Sequence, residues 1–246
     1  MGRITDTVKA LIIVNVIFYI GSQLLGDTAY RLFSLYYVEN PNFQLWQPLT
    51  HMFMHSSNGI MHILFNMFGL FMFGSPLEQM WGRNKFLFFY FSAGFGAALI
   101  HTLVNYYQVH SASDILFNAG MSQADITNLF TTGLYNPGIL NTVSLETIES
   151  AYHSFDTPAL GASGAVYGIL VAFGMMFPNA KLMLIFFPVP IKAKYFIPLM
   201  LAGDLFFGIS GAGTGIAHFA HLGGALFGFI MSWYWKKNSF DSHRWD

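Results

Sequence analysis

Ser163 stands in Gly161-Ala162-Ser163-Gly164 and His221 in Ala220-His221-Leu222-Gly223-Gly224, each at the edge of or within an apolar run. A serine hydroxyl is a weak nucleophile until a base takes its proton, and imidazole is the side chain best suited to that near neutral pH. The pair therefore points to acyl-transfer chemistry, provided the fold brings the two together. Pro158 and the small residues after it place Ser163 at a helix start, where backbone N–H groups lack partners and the helix dipole is positive. The amides around Ala162 and Ser163 are thus candidate donors to an oxyanion. His62 and Asn66 are four residues apart, share one helical face and offer two further N–H donors. Each residue also admits a plainer reading, with Ser163 as a helix cap and His62 and Asn66 as interhelical hydrogen-bonding groups.

Glycines give the two principal residues a reason to meet. Gly164 and Gly168 follow the serine, and Gly224 and Gly228 follow the histidine, both pairs four apart. Two such flat helix faces can approach closely. Tyr167, one turn after Ser163, is placed to lay its ring on the His221 imidazole and orient it. That reading expects no acidic third member, because a carboxylate buried in lipid is costly.

The elements that must carry these residues are apolar. Of 246 residues 54% are hydrophobic and 9% charged, a mix unlike that of a soluble domain. Six apolar stretches stand out, at 8–25, 60–79, 86–107, 163–177, 195–209 and 215–235. The first follows Arg3 and Lys9 but lacks a clear cleavage site and reads as a retained span. With six spans, ten of the eleven basic residues fall on one side and only Arg31 on the other. By the positive-inside rule both termini face the cytoplasm, and the bias suits a bacterial inner membrane. The expected architecture is all-α, a six-helix polytopic bundle forming one membrane domain over 1–246. It has an extracytoplasmic loop at 26–59 and a longer one at 105–160. Ser144, Ile148, Ala151, Tyr152 and Phe155 predict a short capped helix within the longer loop. Cysteine is absent, which excludes disulfides and thiolate chemistry.

The other ionisable groups carry weaker signals. His51 and His55 are four apart, and His218 and His221 three apart, but there is no His-Glu-x-x-His string and hydrogen bonding within the loop suits the first pair better than metal. Asp204, in the fifth stretch, reads as a side chain reaching water near the outer end of its span. His218 reads as a group near the same surface, His101 as facing a neighbouring helix, and Glu78 and Arg83 as organising the turn after the second span.

Three signatures in order on separate spans, His62-x-x-x-Asn66, Gly161-Ala-Ser163-Gly164 with Tyr167, and Ala220-His221-x-x-Gly224-x-x-x-Gly228, resemble those of the rhomboid family of intramembrane serine proteases in its bacterial form. The resemblance extends through Gly74-x-x-x-Glu78-x-x-x-Gly82. It implies a Ser163/His221 dyad that cleaves single-span membrane proteins in or near their transmembrane helix. His62 and Asn66 would help to bind the oxyanion; no cofactor, metal or nucleic acid is implied, and the partners are the substrate helix and the bilayer. The chain departs from the family at Trp46-Gln47, where many members carry Trp-Arg, in the seven positions separating His55 from His62, and in the length of the 105–160 segment.

Overall fold

A computed structural model describes residues 3–57, 59–184, 187–210 and 216–238. Eleven α-helices run through them: α1 (Asp6–Leu25), α2 (Asp27–Phe33), α3 (Gln47–Thr50), α4 (Met61–Gly69), α5 (Ser75–Trp81), α6 (Arg83–Asn118), α7 (Gln123–Thr132), α8 (Leu145–Asp156), α9 (Ser163–Met176), α10 (Ala193–Ser210) and α11 (His218–Asn238). A π-helical segment, Leu70–Gly74, joins α4 to α5 without a break, so the two form one long helical rod. The six apolar stretches thus appear as α1, α4–α5, α6, α9, α10 and α11. Gly215, the predicted start of the last, lies outside the described residues. One small antiparallel hairpin, β1 (Lys181–Leu184) and β2 (Phe187–Lys192), joins α9 to α10 and was not foreseen.

The centre of the bundle is α6, α9 and α11, and small residues explain why they pack so closely. A Cβ on Gly168 would lie 2.5 Å from that of Ala93 and 2.9 Å from the Gly224 carbonyl oxygen. One on Gly228 would lie 2.6 Å from Gly168 Cα, and one on Gly224 would overlap the Gly164 carbonyl. Larger side chains there would push the helices apart. Around this seam Phe86, Phe89, Tyr90, Leu70, Leu77 and Ile169 are fully buried. Large apolar side chains such as Phe88, Leu103, Leu199 and Phe206 point outward, a surface suited to lipid rather than water.

At one end, Glu78 closes the bundle. Its carboxylate accepts the backbone N–H groups of Thr7 (3.1 Å) and Val8 (3.0 Å) and the Thr5 hydroxyl. An anion is thereby set against the positive N-terminus of α1.

At the other end, the structure differs from the sequence expectation. The third apolar stretch was read as ending at Tyr107, but α6 continues to Asn118. At 1.5 Å per residue it spans about 54 Å, well beyond a hydrocarbon core of about 30 Å. Its extension is amphipathic: Val109, Ala112 and Leu116 bury against Ile126, Leu129 and Phe130 of α7 and Ile148, Ala151 and Phe155 of α8. The 105–160 segment is therefore a helical layer rather than an open loop. Ser144 begins α8 as predicted, its hydroxyl accepting the Thr147 N–H at 3.2 Å.

Candidate active site

The α9 helix has 14 residues, or about 21 Å, too short to cross the full hydrocarbon thickness. Ser163, its first residue, can therefore lie below the membrane surface while the chain leading to it descends without helical bonds. Such backbone is tolerable at that depth only if protein satisfies it. Leu35 and Ala159 exchange two backbone hydrogen bonds of 2.8 Å, and the Gly161 N–H donates to the His51 carbonyl at 2.9 Å. The 26–59 segment thus holds the approach to Ser163.

That segment is organised by Gln47, the position at which the sequence departs from the Trp-Arg of the family it resembles. Gln47 is fully buried. Its Nε2 donates to the Arg31 (2.9 Å) and Asn42 (2.8 Å) carbonyls, and its Oε1 accepts the Tyr36 N–H at 3.2 Å. His51 and His55 turn their Nδ1 atoms to the Gln47 and Phe53 carbonyls, at 3.0 and 3.3 Å. Burial pushes both imidazoles down to about 4, with the nearby His62 adding to the effect at His55.

The N-cap of α9 is Ala162, and no side chain caps the helix. The Ser163 hydroxyl instead lies 2.9 Å from His221 Nε2, which sets aside the capping reading. The His221 ring stacks on Tyr167, with centroids 4.1 Å apart and planes at 15°. Gly161, at φ +124°, faces the same point: a Cβ there would sit 3.0 Å from His62 Nε2 and 3.5 Å from Ser163 Oγ. His62 Nδ1 accepts the Ser56 N–H at 3.3 Å, so the neutral ring carries its proton on Nε2, facing this pocket. Asn66 is buried on the same face and donates one N–H to the His62 carbonyl at 3.0 Å, leaving its second N–H.

Asp204 corrects the sequence reading. It does not reach water: its side chain is 7% exposed, and its Oδ1 lies 3.2 Å from His221 Nδ1 and 2.6 Å from His218 Nδ1. The expectation of a site lacking an acidic group therefore fails on geometry. Two ring nitrogens solvate the carboxylate in place of water, and the Tyr167 hydroxyl faces it as well. The sequence carried only half of that signal: a charge in a span demands a partner, but nothing in the spacing names which helix supplies it. Donor atoms of Asp204, His218 and His221 fall within 4.8 Å of one another, close enough to hold a metal ion. His101 is not brought to the serine and pairs with Asn105, 3.3 Å away on its own helix.

The family model of the Rhomboid domain matches residues 42–132 and 126–238. The chain belongs to the rhomboid family. Relatives include the rhomboid protease AarA of Providencia stuartii, 28% identical over 76% of this chain and 54% of that protein. Rhomboid protein 1, mitochondrial, of Saccharomyces cerevisiae is 39% identical over 32% of this chain and 23% of its own length. Presenilin-associated rhomboid-like protein A, mitochondrial, of Danio rerio is 29% identical over 73% and 34%. The chain spans between about a quarter and about half of these relatives. Family, apolar helices and lipid-suited surface together make this an integral membrane protein with a polytopic helical bundle.

Proposed function

We propose that this rhomboid is an intramembrane serine endopeptidase acting on single-span membrane proteins in or near their transmembrane helix. The observation that carries the reading is the 2.9 Å contact between Ser163 Oγ and His221 Nε2 at an uncapped helix start inside an apolar bundle. Ser163 attacks the scissile carbonyl while His221 Nε2 takes its proton, then returns it to the departing amine; water reverses the sequence on the acyl-enzyme. The negative oxygen forms beside the N-terminus of α9, where the amides around Ala162 and Ser163, His62 Nε2–H and the second N–H of Asn66 can meet it. Gly161 leaves room for that oxygen, and Gly164, Gly168, Gly224 and Gly228 hold the two helices at reacting distance. The chain itself supplies every group this sequence requires, and the reading includes no metal or other cofactor.

The charge distribution supports a bilayer orientation in which both termini and the hairpin face the cytoplasm, with the 26–59 and 105–160 segments outside, as in a bacterial inner membrane. The test is cleavage of a generic single-span substrate by the purified chain in detergent. Wild type should cleave and take a fluorophosphonate label at Ser163, and Ser163→Ala and His221→Ala should do neither. Cleavage surviving in Ser163→Ala sinks the assignment, and a wild type inert on several substrates points to a helix-binding protein instead.

A further inference from the structure

Stacking on Tyr167 fixes the plane of the His221 ring, but two ring orientations 180° apart share that plane. One presents Nε2 to Ser163; the other presents a carbon. Aromatic contact alone does not choose between them, nor does it choose which nitrogen carries the proton. Asp204 meets both needs, since its Oδ1 lies 3.2 Å from His221 Nδ1 on the side of the ring away from the serine. A carboxylate there accepts Nδ1–H and leaves the Nε2 lone pair for the hydroxyl proton. From the three linked contacts, Ser163 Oγ to His221 Nε2, His221 Nδ1 to Asp204 Oδ1 and His218 Nδ1 to the same oxygen, we infer that Asp204 is a positioning residue that completes a Ser163–His221–Asp204 relay, and that His218 anchors it. The inference rests on the Ser163/His221 reading above.

His218 has its own part. Its Nδ1 sits 2.6 Å from the same Oδ1, and its ring stands at 85° to that of His221 with centroids 6.4 Å apart, so the two N–H groups converge on one oxygen from different directions. Phe207 stacks on His218 at 5.8 Å and 25° and holds that ring. The buried carboxylate is thereby fixed from both sides. As Ser163 attacks, its proton moves to His221 Nε2, while Nδ1 keeps its own proton against Asp204. The imidazolium forms beside a fixed anion, and the proton on Nε2 passes to the leaving amine. Asp204 stays unprotonated throughout.

The test uses the full chain, labelled with ¹⁵N-histidine, in detergent. Wild-type His221 should show its proton on Nδ1, and Asp204→Asn, which keeps the shape but offers an N–H, should move it to Nε2. That variant should lose kcat by about 10²–10⁴-fold with KM little changed, and an unchanged melting temperature would separate the effect from misfolding. His218→Gln should lose on the order of tenfold, through a loosened Asp204. A kcat in Asp204→Asn within about threefold of wild type, alongside an inert Ser163→Ala, overturns the relay and leaves the serine and histidine standing as a dyad. If no Ser163-dependent cleavage is found at all, the tautomer still decides the positioning claim: Nε2–H in wild type overturns it, and Nδ1–H that switches in Asp204→Asn upholds it. Activity lost on dialysis against a chelator and regained with zinc also overturns it, since the three side chains would then be a metal site.

Discussion

At the scale of single residues, the pocket beside Ser163 is defined by one ring and one missing side chain. His62 receives the Ser56 N–H on Nδ1 and so turns a protonated Nε2 toward Gly161. Losing one oxyanion donor typically reduces kcat by about 10²–10³-fold, so His62→Ala should show a loss of that order with little change in melting temperature. An equal fall in both would mark His62 as structural. His51 and His55 make a different prediction. Both are buried neutral, with folded values near 4 against about 6.5 when unfolded. A depressed histidine contributes stability fully above the unfolded value, and that contribution is lost as the pH falls from about 6.5 toward 4. Between pH 7 and pH 5 the loss is on the order of 2 kcal/mol per imidazole. Melting temperature in detergent should fall across that window, and His51→Gln, which keeps a donor for the Gln47 carbonyl, should flatten the slope. A flat wild-type profile would contradict this account.

At the scale of elements, α9 and α11 carry Ser163 and His221, the proposed nucleophile and base, on faces built of glycine. Gly224→Ala would set a methyl group against the Gly164 carbonyl, and relieving that overlap means separating the helices. Overpacking of this kind costs about 1–3 kcal/mol or more, so the variant should lose both stability and cleavage. Gly21→Ala, whose Cβ would meet nothing within 4 Å, should lose neither. The glycine seam was legible in the sequence because four-residue spacing maps directly onto one helix face, and so were the six helices, whose apolar runs stand out in a chain with only 9% charged residues. The partnership of Asp204 was not. Helical spacing says which residues share a face but not which neighbour that face meets, and Asp204 and His218, 14 positions apart, sit on different helices. Gln47 was hidden for a related reason: its three partners are backbone groups of Arg31, Tyr36 and Asn42, and backbone has no signature. The length of α6 was missed because its outer part changes from uniformly apolar to amphipathic, which a search for spans reads as an end.

At the scale of the whole molecule, the α7–α8 layer and the 26–59 segment are joined before either reaches the serine. Asn40 donates to the Phe155 carbonyl at 3.0 Å, Tyr37 packs on Phe155 with ring centroids 5.7 Å apart, and Ser154 donates to Gln108 of α6 at 2.9 Å. The chain passes from α8 straight into the strand-like approach to Ser163, so the layer and the site must occupy the same end of the bundle. The opposite end holds the hairpin with Lys181 and Lys192, and Lys236 and Lys237 of α11. In the orientation proposed above, that end faces the cytoplasm because positive charge resists translocation across the bilayer, and Ser163 opens near the outer face, where hydrolytic water can enter. Because the sequence contains no cysteine, single introduced thiols report this orientation without background. Ala124→Cys on exposed α7 should react with a membrane-impermeant maleimide on intact bacterial cells, and Lys192→Cys in β2 only after the membrane is opened. The reverse pattern would invert the protein and bring Ser163 to the cytoplasmic face. Labelling of both positions on intact cells would mean that the basic residues do not set the orientation.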